Sequence, residues 1–397
     1  MARVLIVVPP LAGHVYPTVT LGAELARRGH HVAWAGPAAG VAPRLAPGQA
    51  LYDTNPEIDR NSLDAGLRRG AGQRGVVALK SLWEDVLLPL ARAMLPGVTR
   101  AIEGHDPDVV IADQQALAGA LGALRAGLPW VTSATTSAEM ADPFASVPLV
   151  GRWIADELTA LQVGAGVAAD VAADTDLRRS PLLTVAYTTP ELVGPRFTWP
   201  APVCFAGPVI EDRVETDEFP WDWLDPARRR VLLTLGTLNA AAGGRFFQAA
   251  ADALDRPDVQ VVCAAPPELV PAAPSNWLVR SPVPQLDLLR RGVDAVVCHA
   301  GHNTVCETLA RGVPLVLAPI RDDQPIVADQ VVRAGAGVRV RFGRVRADGL
   351  AAAVRAVLDE PSYRRSARAL ASSFAAAGGA REAAVRVEAI VPARSGR

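Results

Sequence analysis

At 397 residues the chain exceeds the ~250–300 at which one hydrophobic core stops growing, so two domains are expected. Half of the residues are hydrophobic and a fifth charged, as in ordinary globular proteins. A formal net charge of −1 with no long basic stripe speaks against nucleic acid as a partner. The four scattered cysteines (Cys204, Cys263, Cys298, Cys306) suit reduced, buried thiols better than a disulfide framework. The apolar run Val4–Val8 is too short for a signal peptide. No stretch reaches ~18 uninterrupted apolar residues, so a cytoplasmic chain without a transmembrane helix is expected.

Taken in chain order, Val4–Val8 reads as a strand covered on both faces, as in a parallel sheet. A turn follows, then a helical pattern from Pro17 to Arg28 that Gly29 stops. His31–Ala35 is a strand and Lys80–Ile102 has helical periodicity. Asp108–Ala112 is a strand, Ala116–Ala126 a helix, Trp130–Ser133 a strand. Leu182–Ala186 and Val203–Ala206 close a first domain spanning 1–206. Residues 207–230, rich in charge and proline, read as a linker. The alternation restarts at Val231–Leu235, continues through Ala295–Val297 and Leu315–Ala318, and ends in helices from about Asp348, giving a second domain over 231–391. Strand–helix alternation in both halves is the pattern of a doubly wound α/β fold.

In such sheets ligands bind beyond the carboxyl ends of the strands. His14 lies there, after the first strand, and imidazole titrates near neutral pH, so it can take a proton; the competing reading is a surface histidine in a turn. Asp113 follows the strand Asp108–Ala112 and could meet His14, a carboxylate on one ring nitrogen fixing the tautomer; the competing reading is a helix N-cap, with Gln114 a weaker substitute. In the second half, His299-Ala300-Gly301-His302-Asn303-Thr304 joins a strand to a helix. A helix N-terminus suits a pyrophosphate, Gly301 allows close approach, and Asn303 and Thr304 can cap the helix or donate to phosphate oxygens. Thr237, after Gly236, could hold a second phosphate or be an ordinary turn threonine.

Val283-Pro284-Gln285, then His299, Gly301, Asn303, Thr304 and Glu307, then Gly312-Val313-Pro314, then Asp323-Gln324 resemble, in type and spacing, the donor-binding signature of nucleotide-sugar-dependent glycosyltransferases that act on small molecules. The resemblance implies a GT-B fold, two facing Rossmann-like domains with a cleft between them. It implies His14 as the base that takes the acceptor's proton and Asp113 as its partner. His299 and Thr237 would hold the diphosphate, Glu307 the ribose hydroxyls, and Asp323 and Gln324 the sugar hydroxyls. Gln285 belongs to the same signature, and Val283 would meet the base edge through its backbone. Pro282 stands where many members of the family have an aromatic that stacks on the base. The implied reaction is inverting transfer of a hexose, with UDP-glucose as co-substrate, to a hydroxyl of a small apolar natural product, without metal or cofactor. Trp83, Met94, Met140, Phe144 and Trp153 are candidate walls of the acceptor pocket, or core.

Three other patterns carry less. Asp174-Thr175-Asp176 resembles a metal-binding D-x-D but follows no strand. Cys298, His299, His302 and Cys306 mix strand and helix positions unlike a zinc framework. No G-x-G-x-x-G follows the first strand, which argues against a dehydrogenase. The readings left open are a TDP-deoxysugar-dependent antibiotic glycosyltransferase, a UDP-sugar 2-epimerase of the same fold, and a non-catalytic nucleotide-sugar sensor.

Overall fold

The computed structural model describes residues 1–55, 75–141, 147–195, 202–210, 218–236 and 243–392. The chain divides into two units. The first comprises Met1–Tyr187, Phe197–Val209 and Ala377–Arg397; the second comprises Thr188–Arg196 and Ile210–Ala376.

The first unit holds strands β1 (Arg3–Val7), β2 (His31–Gly36), β3 (Ala50–Asp53), β4 (Val109–Asp113), β5 (Trp130–Ala134), β6 (Thr184–Ala186) and β7 (Val203–Phe205). They pair in parallel in the order β3-β2-β1-β4-β5-β6-β7. Helices α1 (Ala12–Arg27), α2 (Leu88–His105) and α3 (Leu117–Arg125) form crossovers. The apolar run of β1 is continuous because both faces are covered: Leu5 and Val7 pack with α2 and α3, and Val4, Ile6 and Val8 pack with Leu21 and Leu25 of α1.

The second unit repeats the plan. Its strands are β8 (Arg229–Thr234), β9 (Val259–Ala264), β10 (Trp277–Arg280), β11 (Ala295–Cys298), β12 (Leu315–Leu317) and β13 (Gly337–Arg339), parallel in the order β10-β9-β8-β11-β12-β13. Helices α4 (Gln285–Arg291), α5 (His302–Leu309) and α6 (Gln324–Arg333) carry the signature residues. Residues on alternate sides of β8 again enter two cores, Leu232 one and Val231, Leu233 and Leu235 the other. Among the described residues no helix is long and apolar enough to cross a membrane.

The structure corrects the sequence boundaries in three places. The helix after β1 begins at Ala12, five residues before Pro17: the Leu11 carbonyl receives the amides of His14 at 2.9 Å and Val15 at 3.1 Å, so the helix is nucleated upstream of the proline. His14 therefore sits in the first turn of α1, not in a loop. The terminal helix Gly379–Glu388, assigned by sequence to the second domain, belongs to the first unit. Its Ala383, Ala384 and Val387 share a core with α1 and β1, and Glu388 accepts from the fork of Arg28 (2.8 and 2.5 Å) and lies 2.8 Å from His30 Nε2. The described end of the 207–230 stretch is not a free linker either. Phe219, Trp221 and Trp223 pack on the core of the second unit, and the Arg291 guanidinium lies 4.1 Å from the Trp221 ring centre.

Candidate active site

Each sheet reverses its strand order once: the first between β1 and β4, the second between β8 and β11. Ligands bind at such switch points, beyond the carboxyl ends of the strands. The chemically interesting residues cluster at both.

In the first unit, α1 follows β1 directly and carries His14 on its first turn, while Asp113 is the last residue of neighbouring β4. The two side chains meet. His14 Nδ1 lies 2.9 Å from Asp113 Oδ1 and 3.0 Å from Oδ2. The Asp113 side chain is fully buried, and 15% of the His14 side chain is exposed. The Gln115 amide also donates to Asp113 Oδ1, at 2.8 Å, so the carboxylate is held by groups besides the imidazole. Asp113 also forms a turn, the Ala116 amide donating to its carbonyl at 2.9 Å. A carboxylate on Nδ1 holds the proton there and puts the ring's lone pair on Nε2, the arrangement a general base needs. Thr135, just past β5, joins the pair: its Oγ1 lies 2.8 Å from His14 Nδ1 and 3.2 Å from Asp113 Oδ2. Sequence reasoning passed over Thr135. The one available signal was a polar run, Thr135-Thr136-Ser137, at the carboxyl end of a strand beside β4.

In the second unit, His299 follows β11 and Gly301 caps α5. The imidazole of His299 is sandwiched between two glycines. A Cβ on Gly236 would stand 2.7 Å from its Cε1 and 2.9 Å from its Nε2, and a Cβ on Gly301 would collide with Nε2 and stand 2.8 Å from Cε1. The ring is buried, and its Nδ1 has no hydrogen-bond partner among the described residues. Burial depresses its pKa to about 4, with the Thr234 backbone opposing and the Arg321 charge adding to the shift. His299 is therefore neutral at pH 7. It can exchange a hydrogen bond with a phosphate, while positive potential there comes from the first amides of α5, as at any helix N-terminus, and from the Arg321 charge.

The remaining signature residues lie on the same unit. Gln285 starts α4 and its Nε2 donates to Glu307 Oε2 at 2.5 Å, fixing a buried carboxylate on α5. Val283 turns its side chain onto the core. Asn303 and Thr304 are half-buried in the first turn of α5. Asp323 is the N-cap residue of α6, while Asp322 lies at φ +55° with its carboxylate 3.5 Å from Arg321. Gln324 is buried, and its Oε1 receives the amides of Ile320 at 2.9 Å and Arg321 at 3.1 Å. Those bonds settle the orientation of the amide: Oε1 staples the loop, and Nε2 is the group left to donate elsewhere. Thr237 lies outside the described residues, as does Phe144.

The aromatic and methionine candidates sort differently. Trp83 and Met94 belong to the core that covers one face of the first sheet, and Met94 and Met140 have no exposed surface, which fits the core reading of all three. Trp153, on the helix Pro148–Gly164, is only partly buried and has Lys80 Nζ 5.8 Å from its ring centre. Asp176 of the D-x-D pattern is engaged by Arg178 through two bonds of 2.9 and 2.8 Å. Burial would raise its carboxyl, but Arg178, with Arg179 nearby, outweighs that and holds it below the ordinary range. Cys306 Sγ lies 3.4 Å from His302 Nε2, one helical turn away, while the His299 ring packs between its glycines.

A model of the family described as UDP-glucoronosyl and UDP-glucosyl transferase matches residues 221–375, which include the whole His299–Gln324 cluster. The 4'-demethylrebeccamycin synthase of Lentzea aerocolonigenes is 30% identical over 425 residues, covering 98% of this chain and 100% of that protein. The chain belongs to this glycosyltransferase family. The transferase also resembles solved structures over nearly its full length. The glycosyltransferase of kitacinnamycin superimposes with a TM-score of 0.75 at 23% identity, over 98% of this chain and 99% of that one. SsfS6 of Streptomyces sp. SF2575, complexed with thymidine diphosphate, gives a TM-score of 0.68 at 24% identity, over 98% and 100%. At those identities the likeness speaks for the fold alone, and the fold is GT-B. The transferase is thus a nucleotide-sugar-dependent enzyme of two parallel-sheet α/β units, as the signature implied.

Proposed function

We propose that this transferase moves a hexose from UDP-glucose to a hydroxyl of a small, largely apolar natural product, with inversion and without a metal ion. The observation that carries the reading is the contact of His14 Nδ1 with both oxygens of buried Asp113 at the switch point of the first sheet. His14 Nε2 takes the acceptor's proton as its oxygen attacks the anomeric carbon. The bond from that carbon to the diphosphate breaks, and the electron pair leaves with the nucleoside diphosphate. Charge grows on the departing phosphate, where the N-terminus of α5, His299 and Thr237 are assigned to receive it. Glu307, oriented by Gln285, reads the ribose, and Gln324 donates from Nε2 to the sugar beside Asp323. A base held by a buried carboxylate favours an enzyme over a sensor, and among the described residues the carboxylate found on His14 is that of Asp113, not the acidic set an epimerase uses.

A second reading, a TDP-sugar donor and an antibiotic acceptor, is favoured by SsfS6, whose structure holds thymidine diphosphate, and by Pro282, which is exposed and supplies no aromatic face for uracil. Competition between UDP-glucose and a TDP sugar over a panel of acceptors, read by mass, separates the two. The expected result is a gain of one hexose with UDP-glucose preferred. Glu307→Ala is expected to reduce UDP-glucose use by about 10- to 150-fold, the effect of losing a hydrogen bond to a charged group, and to narrow the gap to the TDP sugar, which lacks the 2′-hydroxyl. Gln324→Glu keeps an acceptor for the Ile320 and Arg321 amides but loses the donor, so sugar transfer should fall while affinity for free UDP holds. Preference for the TDP sugar in the unaltered protein, unchanged in Glu307→Ala, would replace the first reading with the second.

A further inference from the structure

Asp113 has no exposed side-chain surface, and a buried carboxylate is stable only when its oxygens are supplied with donors. Around it stand His14 Nδ1, the Gln115 amide and the Thr135 hydroxyl, the last 4% exposed and within 2.8 Å of His14 Nδ1 and 3.2 Å of Asp113 Oδ2. The hydroxyl has one proton for two neighbours. Were it donated to Nδ1, that nitrogen would present a lone pair to both carboxylate oxygens at 2.9 and 3.0 Å, and Asp113 would lose two donors at once. With Thr135 donating to Asp113 Oδ2, Nδ1–H is shared between the carboxylate and the threonine oxygen, and every group is satisfied. Only this arrangement is consistent.

We propose that Thr135 is a positioning residue that locks His14 in the Nδ1–H tautomer, through its simultaneous contact with His14 Nδ1 and Asp113 Oδ2. Asp113 alone offers two oxygens to one N–H, and the ring can rock between them; the third contact, from Thr135 just past the end of β5, fixes the plane of the imidazole. Thr135 thereby sets the direction of the Nε2 lone pair without touching the reacting atoms. The inference rests on the reading of His14 as the base.

The test combines turnover with the tautomer of His14, read from ¹⁵N chemical shifts of histidine-labelled protein. Thr135→Val, nearly the same volume without the hydroxyl, is expected to show a mixture of tautomers at His14 and a kcat lower by about 10- to 100-fold, with donor KM within about twofold. Thr135→Ser should restore both the single tautomer and most of the turnover; a merely space-filling role would make valine the better replacement. Thr135→Ala gives the same readout should the valine variant fold poorly. Unchanged tautomer and kcat in the valine variant would overturn the assignment. So would a raised donor KM at unchanged kcat, since that marks a residue touching the sugar. His14→Ala keeps the two failures apart: if it retains turnover the base reading falls, and if it is inactive while Thr135→Val behaves as wild type, only the role of Thr135 falls.

Discussion

Replacing His14 by alanine is expected to lower kcat by ~10²–10⁴-fold, the usual worth of general-base catalysis. Affinity for the nucleotide sugar should barely change, because His14 is on the first unit and the described residues proposed to hold the donor are on the second. Asp113→Asn should fail in a related way. The carboxylate serves three donors, and both of its oxygens are used. An asparagine has one oxygen, so its NH₂ must face the Gln115 amide or turn toward Thr135 and His14 Nδ1. The first is a clash of donors, and the second favours the tautomer with Nε2 protonated, which cannot act as base. Steady-state kcat and calorimetric donor Kd on the two variants check this. Near-wild-type turnover in His14→Ala would remove the base assignment.

The second large effect is expected from a single methyl group at Gly236 or Gly301. The His299 ring fills the space between them, is buried, and cannot swing aside as a surface side chain would. Overpacking of this kind costs about 1–3 kcal/mol. Because the ring itself is displaced, the loss should appear as weaker binding of the nucleoside diphosphate, roughly 5- to 150-fold by that figure. The two positions separate two causes. Gly236 has φ +72°, where any side chain is strained, whereas Gly301 at φ −63° accepts alanine without backbone cost, so Gly301→Ala isolates the collision. Gly349→Ala, with nothing near the added methyl, is the control and should bind as wild type. Calorimetry with UDP and TDP reads the result. Unchanged affinity in folded Gly301→Ala would detach His299 from the phosphate site.

The parallel sheets were legible because a strand buried on both faces must be apolar throughout, and Val4–Val8, Val231–Leu235 and Ala295–Val297 are. The contact of His14 with Asp113 was legible for a related reason: once the two are placed after strands that neighbour each other, the geometry of a doubly wound sheet brings them to one point. The helix at Ala12 was not, since Pro17 imitates a first-turn proline and only the Leu11 carbonyl reveals the earlier start. Nothing local announces that the terminal helix joins the first unit; its small residues Ala383 and Ala384 acquire meaning only against α1. Trp83 and Met94 suit a pocket wall and a core equally by type, and long-range packing decides. Thr135 was hidden by its commonness, because a threonine at a strand end becomes informative only when its hydroxyl is seen between an imidazole and a carboxylate.

The claim on which the rest depends is direct displacement at the anomeric carbon by a hydroxyl that His14 deprotonates, with no enzyme nucleophile and no metal. The most direct measurement is the anomeric configuration, by proton NMR coupling, of the glycoside formed from an α-linked nucleotide hexose in excess EDTA. A β-glycoside formed at an undiminished rate is the expected result, and an α-glycoside, or product only on addition of Mn²⁺ or Mg²⁺, would contradict it.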